Sequence, residues 1–266
     1  MDDHYCLYAV TWANCPVEGF GPGVDPRFAV EVVRYGQLAA LASRVGLDQF
    51  DLTKLQEGTA DLPWLSTVAV RHNAIIAAAA RNAAVLPMRL GIFFASRSSL
   101  IGRLARYEAD AAEFLRRLGD RQEWAVKIYV DENHAQMVHG PGETGRGGTQ
   151  YLAAKGLQLD RRRQVDAVIR QAALTVEARL KGMTDAWQRL RPLATALTNR
   201  PEKMVWNGAF LLSRSTIDSF QTACERLRSE LAAKGLIVEA RGPWPPYHFC
   251  PSFEPQPEHS PCPSTC

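Results

Sequence analysis

The sequence predicts an α+β protein of two domains, an N-terminal α+β domain over residues 1–120 and a second domain over residues 121–249. A chain of 266 residues exceeds the usual size of one domain. Short β-forming runs alternate with longer stretches in which apolar residues recur every three or four positions. One helical pattern ends at Gly119 and a new strand-like run opens at Glu123, which places the boundary between them.

The first domain opens with two strand-like runs. Residues 6–11 and 28–33 are rich in β-forming side chains, and the turn residues of the stretch 19–23 lie between them. We therefore expect the two runs to pair as strands. The following stretch, residues 37–45, is short and rich in Ala and Leu.

Helices and one interrupted strand complete the first domain. Residues 61–82 predict a helix with Pro63 near its first turn and an apolar stripe on one side. Residues 85–94 predict a strand broken by Pro87, which belongs at a sheet edge or a bulge because proline has no N–H to donate. Residues 98–118 predict a second helix. The stripe on the first helix comprises Leu65, Val68, His72, Ile75 and Ala79.

The second domain begins with the strand 123–130, in which apolar and mixed positions alternate. A long amphipathic helix is predicted over 160–190, with Trp187 and Leu190 on its apolar stripe and Pro192 as its stop. The later elements are a short strand at 195–198, a strand at 204–212, a helix opened by a capping box at 215–218, and a strand at 236–241. The order strand, helix, strand, strand, helix, strand is ferredoxin-like, with one helix greatly extended.

A segment dense in proline and aromatic residues follows the last strand. Pro243, Pro245 and Pro246 lack N–H donors and fix their own φ, so Trp244 and Tyr247 are expected on an extended, preorganised segment. Such a segment either seals the edge of a core or faces a partner.

The rest of the C-terminus, residues 250–266, is a Pro/Ser-rich tail that we expect to be disordered.

Composition disfavours several classes of function. A formal net charge of +3 is too small to indicate a nucleic-acid-binding protein. No Cys-x-x-Cys spacing occurs, so no metal site is expected, and no apolar run approaches the length of a membrane span. The N-terminus shows no secretory signal, and we expect a cytoplasmic protein without a cofactor.

A glycine-rich stretch, residues 140–147, has the glycine spacing of a phosphate-binding loop. Arg146 stands where that loop needs Lys, Gly147 stands where it needs Ser or Thr, and no strand precedes it directly. The stretch is therefore interpreted as a surface loop.

A second pattern with catalytic potential lies just before this loop. Asp131, Glu132, His134 and His139 could act as acid and base or hold a metal. Acidic and His residues directly after a strand are more typical of a solvated turn, and no nucleophile motif accompanies them.

Four stretches in order, residues 7–10, 85–91, 123–131 and 242–249, resemble the signatures of one family, the gas vesicle accessory proteins of the GvpL/GvpF type. The last stretch, Gly-Pro-Trp-Pro-Pro-Tyr-His-Phe, is the most specific of them. The resemblance spans nearly the whole chain.

The resemblance implies a non-enzymatic, two-domain protein whose second domain is ferredoxin-like with extra helices. It implies a minor gas vesicle component that binds the hydrophobic major shell protein and prevents its aggregation while the vesicle nucleates. Other vesicle accessory proteins would be further partners, with no nucleic acid and no membrane among them. The candidate partner-binding or signature residues are Pro87, Arg89, Gly91, Phe93, Phe94, Trp124, Pro243, Trp244, Pro245, Pro246 and Tyr247.

Two alternatives stay open on the sequence alone. One is a small-molecule enzyme that uses residues 131–148. The other is an RNA-binding ferredoxin-like module, which places paired aromatic side chains on one face of its sheet. Trp124 and Tyr129 have opposite parity on their strand, so we expect them on opposite faces.

Overall fold

The computed structural model describes residues 4–15, 19–48, 50, 61–130, 148–198 and 200–251, and it mixes helices with two β-sheets. The chain divides into two compact units. The first comprises Met1–Asp120 together with Pro245–Cys266, and the second is Arg121–Trp244. The second unit thus ends at Trp244, five residues before the predicted end of the second domain at residue 249.

The first unit contains a mixed set of strands and helices around one sheet. The sheet has the order β2-β3-β1-β4, and β5 also pairs with β1. Its strands are β1 (His4–Trp12), β2 (Glu31–Tyr35), β3 (Leu38–Val45), β4 (Leu86–Pro87) and β5 (Phe93–Phe94), and its helices are α1 (Leu62–Asn82), α2 (Arg97–Arg106) and α3 (Glu108–Leu118).

The expected pairing of residues 6–11 with residues 28–33 is wrong. β1 lies beside β3, with His4 opposite Val45 and Trp12 opposite Leu38, and β2 pairs only with β3 among the described strands. The Ala/Leu-rich stretch is thus the strand between β1 and β2. Gly36 at φ 52° permits the tight turn that folds β2 onto β3, its nearest neighbour in sequence.

The helix predicted over 61–82 is confirmed as α1. The side chain of Asp61 caps it by accepting a hydrogen bond from the backbone N–H of Trp64 at 3.2 Å. Pro87 lies in the short edge strand β4, as predicted from its missing donor. The single helix predicted over 98–118 is instead two helices, because Tyr107, at φ −109° and ψ 12°, leaves the helical conformation between them.

The second unit is a four-stranded antiparallel sheet with two long helices. Its sheet order is β7-β8-β6-β9. In chain order its elements are β6 (Gln122–Val130), α4 (Gly148–Lys181), β7 (Ala186–Leu190), α5 (Thr195–Thr198), β8 (Lys203–Leu212), α6 (Ile217–Ala232) and β9 (Leu236–Trp244). The core contains apolar side chains of α4, α6 and one face of the sheet.

The helix predicted to reach Leu190 is wrong in its last part. α4 ends at Lys181, the backbone N–H of Met183 bonds the carbonyl of Leu180 in a turn, and Trp187 and Leu190 lie in β7. Two apolar residues are too few to distinguish a helix from a strand in this short stretch, and pairing with β8 outweighs local propensity. The strand predicted at 195–198 is likewise wrong, because that stretch is the short helix α5.

The predicted capping box at 215–218 is absent. A 3₁₀ turn, Arg214–Thr216, precedes α6, and Thr216 makes no side-chain cap. Its hydroxyl donates instead to the carbonyl of Ser213 at 2.9 Å.

Candidate partner-binding surfaces

The closing proline-aromatic segment returns to the first unit after Trp244. The ring of Tyr247 packs against the core of that unit, and its hydroxyl donates to Oδ1 of Asn73 on α1 at 3.1 Å. Pro245 and Pro246 are buried. These three residues anchor the C-terminal segment in the first unit, which is why the second unit stops at Trp244.

Trp244 belongs to the same segment, but its side chain lies at the surface. It is the last residue of the edge strand β9 and is 41% exposed. Its indole N–H donates to the carbonyl of Arg241 at 3.0 Å, and Pro243 beside it is exposed. Trp244 is therefore a large apolar side chain at the surface with its ring held by a hydrogen bond.

Trp124 lies in the core of the second unit, with its ring packed against Gly242 of β9. It is 6% exposed, and its ring packs edge-on against Phe220 with centroids 6.3 Å apart. A Cβ atom added to Gly242 would lie 2.5 Å from the Trp124 ring, so this position needs glycine. Trp124 belongs to the core and offers little surface to a partner.

The signature around Pro87 forms the edge of the first sheet. Pro87 is buried opposite Ala9, and Gly91 adopts φ 109°, a conformation that favours glycine, in the turn that leads to β5. Arg89, just before that turn, is exposed. Phe93 and Phe94 are both half-buried, and Phe93 packs against the core. This edge offers less free aromatic surface than Trp244 does.

A polar cleft, which no sequence motif predicts, lies on the open face of the second sheet. The connection between β7 and β8 folds over this face, with the N–H of Leu193 donating to Sδ of Met204 at 3.3 Å. The guanidinium of Arg200 lies 4.4 Å from the centroid of the Tyr129 ring. The cleft has a volume of about 360 Å³ and is lined by Lys127, Tyr129, Leu193, Leu197, Thr198, Arg200, Glu239 and Arg241.

Glu239 forms ion pairs with both arginines that line this cleft. One of its carboxylate oxygens accepts from Arg200 at 2.5 Å, and the other lies 2.7 Å from Nε of Arg241. Nε of Arg200 also donates to Glu202 at 3.0 Å, and this hydrogen bond, with the charges of Glu202 and Glu239, raises the pKa of the guanidinium. Burial, and then the charge of Glu239, raise the pKa of Tyr129 above its usual value, so its hydroxyl stays protonated.

Trp124 and Tyr129 lie on opposite faces of the second sheet, as their parity predicted. Trp124 is in the helix-covered core, and Tyr129 lines the cleft under Arg200. The two rings cannot form one platform for stacked bases.

His72 is a buried titratable group in the first unit. Its side chain is 3% exposed, its ring lies 5.3 Å from that of Tyr8, and its Nε2 has no hydrogen-bond partner among the described residues. Desolvation lowers the pKa of His72 to about 4, against a smaller opposing effect of a hydrogen bond to the backbone of Leu7.

The two catalytic patterns of the sequence, the glycine-rich loop 140–147 and the acidic and His cluster from Asp131, lie outside the described residues. Within the described part of the chain, no three His, Cys, Asp or Glu side chains gather closely enough to hold a metal ion. Among the helices given above, none combines the length and apolarity that a transmembrane segment needs.

Comparison with known proteins places this chain in a family. The family model described as gas vesicle synthesis protein GvpL/GvpF matches residues 5–251. Gas vesicle protein L of Streptomyces sp. (strain CB03234) is 30% identical over 261 residues, covering 91% of each chain. Gas vesicle protein F of the same strain is 31% identical over 263 residues, covering 91% of this chain and 98% of the relative.

Solved structures match the fold. The crystal structure of GvpF from Anabaena sp. PCC7120 superposes with a TM-score of 0.66 at 18% identity, covering 97% of this chain and 100% of that one. The crystal structure of GvpF from Microcystis aeruginosa superposes with a TM-score of 0.64 at 14% identity, covering 94% of this chain and 99% of that one. With the family model matching almost from end to end, the chain belongs to the GvpL/GvpF family of gas vesicle proteins.

Proposed function

We propose that this protein is a minor component and assembly factor of the gas vesicle that binds the hydrophobic major shell protein and prevents its aggregation during nucleation. Membership in the GvpL/GvpF family makes it a gas vesicle accessory protein. We propose further that it works without catalysis, at the gas vesicle within the cytoplasm, and that other vesicle accessory proteins are additional partners.

The exposed ring of Trp244 is the observation that carries the proposal of shell binding. Before assembly a shell subunit exposes apolar surface, which a partner can cover with apolar or aromatic side chains. Tryptophan is the side chain most enriched at the energetic centres of interfaces. Because the Trp244 indole is already held by the carbonyl of Arg241, binding costs little further loss of side-chain entropy.

The other aromatic candidates have roles inside the protein. Tyr247 and Trp124 pack on the cores of the first and second units respectively, and Phe93 packs on the first. Trp187, predicted on the apolar stripe of the long helix, lies in β7 and stacks on Phe210 with the two ring centroids 6.3 Å apart. We therefore propose Trp244 as the main contact, with Phe94 as a secondary one.

We also propose that the second unit is a ferredoxin-like domain. In chain order its four strands form a sheet in which the first and third are central and the fourth and second are at the edges, all antiparallel. This arrangement, with two helices in the intervening connections, supports the assignment. The added length of α4 and the small α5 are its extensions.

Co-expression with the major shell protein tests the proposed function. The tagged full chain is purified as wild type, as Trp244→Ala, and as Leu174→Ala, which removes another exposed apolar side chain from the same unit. We expect soluble shell protein with the wild type and with Leu174→Ala, and at least about fivefold less with Trp244→Ala, as is usual for a central interface Trp. Absence of shell protein from the wild-type sample would contradict shell binding, and equal retention by Trp244→Ala would contradict the role of Trp244.

A further inference from the structure

The cleft on the open face of the second sheet combines charge with exposed apolar surface. Lys127 comes from β6, Arg200 from the connection between β7 and β8, and Arg241 from β9. Leu193 and Leu197 of that connection line the same cleft. Cations from three separate elements therefore meet at one place, beside apolar side chains.

The cations are held in position before any ligand arrives. Glu239 binds Arg200 with one carboxylate oxygen and Arg241 with the other, and each of these bonds uses a single guanidinium nitrogen. The remaining N–H groups of the two arginines face fewer protein acceptors than a guanidinium can serve. Lys127 is half-buried and stands opposite Glu239 in the β6–β9 pair, and within the described part of the chain its ammonium group makes no hydrogen bond or ion pair.

The apolar wall is exposed next to these charges. Leu197 is 73% exposed and Leu193 is 41% exposed, although both are leucines. A ligand that places an acidic group against Lys127 can cover these side chains with an adjacent apolar group.

The same residues disfavour a nucleic acid. The carboxylate of Glu239 lies among the cations and would repel a continuous row of phosphates. Tyr129, the aromatic ring of the cleft, is already covered by the guanidinium of Arg200, so a base cannot stack on that face.

We infer that this cleft is a docking site for an acidic peptide segment of a partner protein, in which a carboxylate binds Lys127 and Arg241 and a neighbouring apolar side chain packs on Leu193 and Leu197. The partner is defined by charge complementarity with the cleft. The inference needs no shell protein and does not use Trp244, so it can fail while the proposed function holds, and the reverse is also true.

Fluorescence anisotropy of a labelled, end-blocked peptide that alternates Glu with Leu tests this site on the full chain. We expect saturable binding in the micromolar to millimolar range, and loss of binding when every Glu of the peptide is replaced by Gln. Lys127→Gln, which breaks no described contact, should weaken binding about fivefold, the usual effect of one partly screened charge pair. Leu197→Ser should weaken binding by a smaller factor.

Arg226→Gln is the matched control, because it removes the same charge from the exposed face of α6. It should leave the affinity unchanged, and thermal unfolding should show that each variant is folded. The inference is overturned if the Glu peptide does not bind, if the Gln peptide binds equally well, if Lys127→Gln and Arg226→Gln behave alike, or if a single-stranded oligouridylate binds more tightly than the peptide.

Discussion

Trp244 and Tyr247 are three positions apart in one proline-rich segment, yet the structure uses them in different ways. Trp244 ends the edge strand of the second unit with its ring at the surface. Tyr247 packs on the core of the first unit and bonds Asn73. The difference teaches that one dense signature contains both an anchor and an exposed side chain, so its residues need not share a role in binding.

The largest expected effect on the free energy of unfolding comes from His72 on α1, the helix to which Tyr247 bonds through Asn73. His72, next to Asn73 on α1, has a pKa of about 4 in the folded protein and about 6.5 when unfolded. Between these values the unfolded chain binds a proton that the folded chain does not, so stability falls as the pH falls. The contribution is fully present above pH 6.5 and about 3 kcal/mol is lost by pH 4.

Chemical unfolding at a series of pH values measures this loss. His72→Phe removes the titrating group, so its free energy of unfolding should fall less steeply than that of the wild type between pH 7 and pH 4. Parallel pH profiles for the two proteins would contradict the burial of a neutral His72.

Removal of the Tyr247 side chain should have the next largest effect on the free energy of unfolding. Tyr247→Ala deletes a half-buried ring from the core of the first unit and leaves Asn73 without that hydrogen bond, which should cost about 2 kcal/mol. Urea unfolding measures the change. Tyr247→Phe keeps the ring and should cost about 1 kcal/mol, so equal losses for the two variants would show that the ring contributes nothing.

The close packing of the end of β9 on the Trp124 ring can be tested at Gly242. A Cβ atom there would meet the Trp124 ring at 2.5 Å, so Gly242→Ala should destabilise the second unit by about 1.5 kcal/mol through a forced shift of the core. Gly102→Ala, where a Cβ meets nothing within 4 Å inside α2, is the control and should be neutral or stabilising. A neutral Gly242→Ala would mean that the strand end is free to move.

Some of these elements could be predicted from sequence and others could not. Local pattern was sufficient for α1, which buries one stripe, and for the β-rich runs of β6 and β8, of which β8 is buried on both faces over most of its length. It failed at Trp187, because a few apolar residues fit a helix and a strand equally well until a pairing partner is known. It also failed at β3, whose place between β1 and β2 depends on nonlocal pairing.

The candidate surfaces, too, could be predicted from the sequence only in part. The sequence identified the segment that contains Trp244 and Tyr247 but could not separate the exposed ring from the buried one, since both follow prolines. It missed the cleft, because Lys127, Arg200 and Glu239 are distant in sequence and meet only through the fold of the β7–β8 connection. Alternation along β6, which puts Lys127 and Tyr129 on one face, was the available signal.

The smallest expected effect on stability belongs to Trp244, whose replacement by Ala should change the free energy of unfolding by less than about 0.5 kcal/mol, as is usual for an exposed side chain. The most direct test of the account is therefore the amount of soluble shell protein retained per folded molecule, compared between Trp244→Ala and Tyr247→Phe. We expect a large loss of shell protein for Trp244→Ala despite unchanged stability, and near wild-type retention for the less stable Tyr247→Phe. Retention that follows stability instead, lower for Tyr247→Phe and unchanged for Trp244→Ala, would contradict a surface role for Trp244.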